Sequence, residues 1–390
     1  MNKSLSASSA SIRMIRRLVG FPTVSRDSNL KLIEYVQDYI RPHAAEIRLT
    51  HDETRRKANL FATIGPRGVP GIVLSGHTDV VPVDGQAWET DPFKLIEKDG
   101  RLYGRGTADM KTFIAVALAV VPDAARGLKS PVHLALSYDE EVGCLGVGRL
   151  IDDLARAGIR PRSCIVGEPT LMKAIIAHKG KKSYRCTVRG LASHSAYAPQ
   201  GVNAVEAAAE AVAQLKRMAR RHRDQGPYDR SFDVAHTTVH TGVLHGGTAL
   251  NIVPHECVFD FEFRHLPGDD PEALLQEFRQ YLTEKLEPEM RAVDPEAGFT
   301  VDVLSEIPAL DTGTETEVVG IAQELTGDAD IGKVSFGSEA PHFQRAGMPT
   351  VVCGPGSIEQ AHKPNEFVSL DQVARCEAFV RKLTERLCAG

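Results

Sequence analysis

Three apolar runs restrict what this chain can fold into. "GIVLSGH" (Gly71–His77), "PVHLALSYDEE" (Pro131–Glu141) and "SCIVGEP" (Ser163–Pro169) are nearly continuous in aliphatic residues. Such short runs read as strands buried on both faces. Met110–Val121 and Leu145–Ala157 lie between them and carry helical patterns. Strands alternating with helices argue for an α/β sheet covered by helices on both faces. The same grammar returns at "MPTVVCGPG" (Met348–Gly356), read as a strand, and at Asp371–Leu387, read as a closing helix.

The middle of the chain has a different texture. "KSYRCTVRG", "TTVHTGVLHGG", "CVFDFEFRHLPG" and "FTVDVLSEIPA" alternate apolar and polar residues, while Val202–Arg221 and Pro271–Leu286 read as helices. Strand, helix, two strands, helix, strand is the ferredoxin-like pattern of a small α+β sandwich with one open sheet face. We therefore expect an inserted domain at 181–302 within an α/β domain made of 1–180 and 303–390. A chain of 390 residues is long enough for two cores.

Composition excludes several classes. A net charge of -5 gives no electrostatic reason to expect nucleic acid or an anionic membrane as partner. The basic segment "LKRMARRHRD" (Leu215–Asp224) reads as the solvated face of a helix. Seven scattered cysteines without a C-x-x-C pair suggest neither a disulfide framework nor a cysteine zinc knuckle. The serine-rich, basic N-terminus lacks the apolar core of a secretory signal, and Ile12, Ile15, Leu18 and Val19 recur at helical spacing. The apolar run Phe113–Val121 is too short to cross a bilayer, so a cytoplasmic location is expected.

The polar residues that stand out all sit at one end of the strands. His77 and Asp79 follow the first run, Glu140 and Glu141 the second, and Glu168 closes the third; Asp109 precedes a helix, and His362 follows the C-terminal strand. In open α/β sheets ligands bind beyond the carboxyl ends of the strands, where such residues can converge. Two imidazoles and several carboxylates without cysteine suit zinc, cobalt or manganese, and the size of the set suggests two ions sharing a ligand. Without cations the crowded carboxylates would destabilise one another. Asp79, on the same side of the strand as His77, could accept from its second ring nitrogen. Adjacent Glu140 and Glu141 on extended backbone point different ways, so one could bind metal while the other carries a proton in hydrolysis.

The blocks "SGHTDVVP", "LYGRGTADMKTFIA", "DEEVGCLG", "GEPT" and "GPGSIEQAHKPNEFV" span nearly the whole chain. In that order they resemble the di-zinc metallopeptidase and deacylase family that includes acetylornithine deacetylases, succinyl-diaminopimelate desuccinylases, aminoacylases and glutamate carboxypeptidases. The resemblance implies a di-zinc aminopeptidase-like catalytic domain with an inserted lid and dimerisation domain. His77, bridging Asp109 and Glu168 would hold one zinc; Asp109, Glu141 and His362 would hold the other. Glu140 would be the general base and Asp79 the support of His77. His194 in "ASHSA" would stabilise the oxyanion from across a homodimer interface.

For the substrate, an N-acyl amino acid, the resemblance places Arg264 in "FEFRHLPG" near a carboxylate and Asn251 in "GGTALNIVP" in contact. Glu339 in "FGSEAP" is our candidate for a side-chain ammonium. "GSIEQAHKPNEFV" and "FGSEAPHFQRAGMPTVVCGPG" look most like the acetylornithine deacetylase branch, which implies release of acetate and L-ornithine for arginine synthesis. Rivals are a broader N-acyl-amino-acid deacylase and a desuccinylase, the latter needing an extra cation that the sequence does not mark. A non-catalytic metal-binding scaffold would be expected to have lost one of Asp109, Glu140, Glu141, Glu168 or His362, and all are present.

Overall fold

A computed structural model of the chain describes residues 6–389. Positions 1–5 of the serine-rich N-terminal stretch, and Gly390, lie outside the described residues. The described residues form two compact units: 6–177 with 310–332 and 338–389, and 178–309 with 333–337.

In the first unit, four strands are parallel neighbours in the order Val132–Ser137, Ile72–His77, Ser163–Pro169 and Thr350–Gly354. Antiparallel strands extend the sheet: Ala58–Ile64 and Glu46–His51 on one side, Ala174–His178 and beyond on the other. All residues of the three apolar runs that are in strand conformation are buried, as expected for strands covered on both faces.

Helix Lys111–Ala124, apolar almost all round, packs on one face. The sheet makes room for it with glycine: a Cβ on Gly76 would lie 2.6 Å from Met110, and one on Gly167 would lie 2.0 Å from the Phe113 ring. Gly167 admits no side chain, and one at Gly76 would have to push the Met110 terminus aside. On the other face, helix Ala340–Arg345 packs against Ser163–Pro169 and Thr350–Gly354. Helices Ser9–Val19 and Leu370–Ala389 pack against Lys111–Ala124 from outside. Of the helically spaced Ile12, Ile15, Leu18 and Val19, the last three are fully buried in Ser9–Val19, whereas Ile12 is half-buried and Met14 takes a place in the core.

The second unit is a four-stranded antiparallel sheet, ordered Thr238–Gly246, Glu256–His265, Gly180–Arg189, Gly298–Ile307. Helices Ala204–Gln225 and Pro271–Tyr281 cover one face, completing the ferredoxin-like pattern. Both begin on caps. Asn203 accepts from Val205 and Glu206 amides, and Asp270 accepts from Glu272 ahead of a proline in the first turn. The alternating strands turn Tyr184, Phe259, Phe261 and Phe263 inward, with Phe261 edge-on to Phe278 at 5.1 Å. Each such ring contributes roughly 1.5–3 kcal/mol by burial.

Two expectations need correction. A boundary at 302 would cut strand Gly298–Ile307, which stays registered with Gly180–Arg189 as far as Ile307 and Lys181. The inserted unit therefore runs to 309 and takes 333–337 as well. The second apolar run leaves the sheet at Ser137, so Glu140 and Glu141 lie on a turn instead of extended backbone. Their divergence comes from that turn, which starts at Asp139 with φ +57°.

Candidate metal centre

The parallel register sets the stage for the site. His77 pairs with Ser137 across neighbouring strands, so both strands finish at one level. His77 ends its strand, Glu168 stands one residue from the end of the next, and the Glu140–Glu141 turn begins just past Ser137. Asp109 immediately precedes Met110 at the start of the buried helix, and His362 sits on a loop beyond Thr350–Gly354 with φ +63°.

Two triads result. Ligand atoms of His77, Asp109 and Glu168 lie within 4.8 Å of one another, as do those of Asp109, Glu141 and His362. Asp109 belongs to both: Oδ1 is 2.9 Å from His77 Nε2, and Oδ2 is 3.4 Å from His362 Nε2. Glu168 Oε1 stands 3.8 Å from His77 Nε2, and Glu141 Oε2 3.0 Å from His362 Nε2. Ligand atoms around a tetrahedral cation with bonds of about 2.0–2.1 Å sit roughly 3.3–3.5 Å apart, within the range these pairs span.

The donor set passes a second test. Glu168 Oε1 is buried and has no hydrogen-bond partner, an expensive condition unless a cation completes it. Burial and the Asp109 carboxylate hold Glu168 well above the usual carboxylate range. Burial and Asp109 likewise push Glu141 up to about 7. Against the effect of burial, His362 and His77 hold Asp109 well below that range. Burial would deprotonate His77, but Asp109, Asp79 and Glu168 raise it instead. This crowding of buried carboxylates around two imidazoles is what two divalent cations would offset.

The contact expected between the Asp79 carboxylate and His77 is made by the Asp79 backbone instead. His77 Nδ1 meets the Asp79 backbone carbonyl at 2.9 Å and its carboxylate only at 3.6 Å. That carboxylate accepts instead from the Glu140 and Glu141 amides (3.1 and 3.3 Å) and from Ser25 Oγ at 2.7 Å. Asp79 therefore fixes the turn that carries both glutamates. Glu140 itself is in neither triad. Its Oε1 accepts from Cys144 Sγ at 3.4 Å, and burial followed by Glu141, Asp109 and Asp79 pushes it up to about 8, against His77. A carboxylate beside the ligands, without a ligand's place, is positioned to carry a proton.

Metal-free protein is expected to lose stability as pH rises from about 5 to about 8. Glu140 and Glu141 keep protons in the fold to about 8 and about 7, against 4.5 for an ordinary glutamate. The folded state then binds more protons than the unfolded chain, so unfolding free energy falls with pH. His362, raised from 6.5 to about 10 by Asp109 and Glu141, acts in the same direction: its contribution is complete below 6.5 and fades towards 10. Excess divalent cation should flatten or reverse the trend, because ligands bind deprotonated. Thermal melts across this window, with chelator and with zinc, check both; a rising midpoint in chelator contradicts the assignment.

The second unit brings together two of the other expected residues. His194 and Ile252 form an isolated bridge, and Ser195 N donates to the Asn251 carbonyl at 3.1 Å. The exposed His194 accepts from Ala196 N at Nδ1, which leaves its ring proton on Nε2. Arg264 lies on the sheet face away from the core, its Nε donating to Glu262 at 2.9 Å. Glu339 is a correction: it is 0% exposed, and Ser75 and Ser137 each donate to it at 2.6 Å. It has no face left for a substrate ammonium. Ser25 and the acid Glu366, which accepts from the Ala108 and Asp109 amides, went unnoticed because no local pattern marks them. Among the described residues, no helix is long and apolar enough to cross a membrane.

Comparison with known proteins agrees with this geometry. The profile described as Peptidase family M20/M25/M40 matches residues 73–386. The chain is 36% identical over 386 residues to an acetylornithine deacetylase of Myxococcus xanthus, covering 96% of this chain and 97% of that protein. It is 34% identical over 387 residues to one from Photorhabdus laumondii, covering 97% of each. In fold it is similar to a metallo-carboxypeptidase from Sulfolobus solfataricus (TM-score 0.76, 16% identity, 98% of this chain and 100% of that one). A Staphylococcus aureus tripeptidase is comparable (TM-score 0.75, 20% identity, 99% and 100%). The chain belongs to peptidase family M20/M25/M40 and is a metallohydrolase acting on amides.

Proposed function

We propose that the protein hydrolyses N2-acetyl-L-ornithine to acetate and L-ornithine in the cytoplasm, as a homodimer with zinc as its metal. The observation that carries this reading is the 34–36% identity, over 96–97% of the chain, to proteins named acetylornithine deacetylase. His77, Asp109 and Glu168 would hold one divalent cation and Asp109, Glu141 and His362 a second, which would supply Lewis acidity toward an amide carbonyl and an attacking water molecule. Glu140 takes the proton from that water at its carboxylate and delivers it to the departing amine. His194, from a second copy of the chain, donates a hydrogen bond from Nε2–H to the developing oxyanion. Arg264 pairs with the substrate carboxylate, and Asn251, beside the His194 loop, orients the acyl amino acid.

The dimer reading draws support from the edge strand Thr238–Gly246 and the loop after it, where Val243, Leu244, Leu250 and Ile252 are exposed. An unpaired edge with apolar side chains invites pairing with its twin. Hydrolysis of acetylornithine, acetylmethionine and succinyl-diaminopimelate by zinc-reconstituted protein tests the substrate. The largest kcat/KM is expected for acetylornithine; equal values for acetylmethionine would establish a broader deacylase, and preference for the succinyl compound a desuccinylase.

A further inference from the structure

We infer that Glu366, with Arg105 and Gln86, positions Asp109 against His362 and so builds the second cation site. The Glu366 carboxylate, 1% exposed, accepts four hydrogen bonds within the first unit. Oε1 takes the Ala108 and Asp109 amides at 2.8 and 3.1 Å. Oε2 takes the Gly106 amide at 3.0 Å and Arg105 Nη1 at 2.7 Å. The segment carrying the shared ligand is thus wrapped around an acid four residues beyond His362.

The other half of the tie runs through Gln86. Its Oε1 accepts from Arg105 Nη2 at 2.6 Å, and its Nε2 donates to the His362 carbonyl at 2.9 Å. Asn365 Oδ1 accepts from Glu89 N at 3.0 Å, sewing the same two loops together. His362 needs this support. Its side chain is 56% exposed and its φ is +63°, a conformation a loop keeps only when its surroundings impose it. His77 and Glu168, by contrast, stand on fully buried strands whose backbone is fixed by the sheet. Asp109 is also held on that side by His77, so loosening the network displaces the His362 side.

Trp88 offers a direct view of this network. It is the chain's only tryptophan, its Nε1 donates to Gln86 Oε1 at 3.0 Å, and its ring lies 5.1 Å from the Arg105 guanidinium carbon. Its emission should therefore respond when the second site fills.

This inference rests on the two-cation reading, and one experiment separates their fates. Apo wild type, Glu366→Gln and Gln86→Ala are titrated with Zn²⁺ alone, against a chelating indicator and by Trp88 fluorescence. Wild type is expected to bind two equivalents, with Trp88 emission changing on the weaker one. Glu366→Gln should weaken that equivalent about 10–100-fold and leave the tighter one near wild type, as expected when a group that orients a ligand is lost. Gln86→Ala, which removes no charged group and leaves the Arg105–Glu366 ion pair in place, should do the same to a smaller degree, so the assignment stays testable if the first variant fails to fold. Unchanged affinities in Gln86→Ala, equal weakening of both equivalents, or emission that follows the tighter ion overturns it. Fewer than two equivalents in wild type defeats the two-cation reading, and this inference with it.

Discussion

Glu140→Gln is expected to lower kcat on acetylornithine by about 10²–10⁴-fold, the usual worth of a positioned general acid–base, while both cation equivalents remain bound. Glutamine keeps the size of the side chain and its contact with Cys144, and Glu140 belongs to neither triad. What it removes is a carboxylate that can take a proton. The Glu140 amide continues to donate to Asp79, so the turn that carries Glu141 stays in place. Steady-state kinetics together with metal analysis read the result. Near-normal turnover would strip Glu140 of its role, and loss of zinc would show that it is a ligand after all.

His194→Ala is expected to cost about 10²–10³-fold in kcat, the scale of a lost oxyanion donor, with little change in bound metal. The tautomer supports this assignment: Nδ1 is occupied by the Ala196 amide, so the free edge of the ring is the donating one. If the donor comes from a second copy, the two defects complement each other. Mixing Glu140→Gln with His194→Ala subunits, under conditions that allow exchange, places an intact Glu140 and an intact His194 at one site of each mixed dimer. Activity should then rise far above that of either variant alone. A mixture that stays as slow as its components argues against donation in trans.

The sequence pointed to this cluster because its positions follow from a rule about chain topology. Parallel strands buried on both faces finish at a common edge, and His77, the Glu140–Glu141 pair and Glu168 could be placed there from hydrophobic runs alone. The supporting groups obey no such rule. Glu366 meets Asp109 across 257 residues of chain, and Ser25 meets Asp79 across 54. Nothing local to either residue predicts its partner. Glu339 failed for the same reason in reverse: an acid in a glycine–serine loop looks exposed, and the serines that bury it come from two separate strands, at 75 and 137. Helix Leu30–Ile40 and the paired strands Glu46–His51 and Ala58–Ile64 also went unread, because their patterns lie outside the runs that organise the rest.

Gly76 and Gly167 let the helix that begins at Lys111 rest directly on the sheet, and the residue after each belongs to the first of the two triads. Alternation along a strand aims each ligand away from the face its glycine presents to the helix. The bite of the cation site is therefore geared to the volume of the hydrocarbon layer beneath it. Swelling that layer, at Phe113 or Ile114, would tilt the strand tips and spread the ligands without touching one of them. A core substitution there is therefore expected to register in activity as well as in stability.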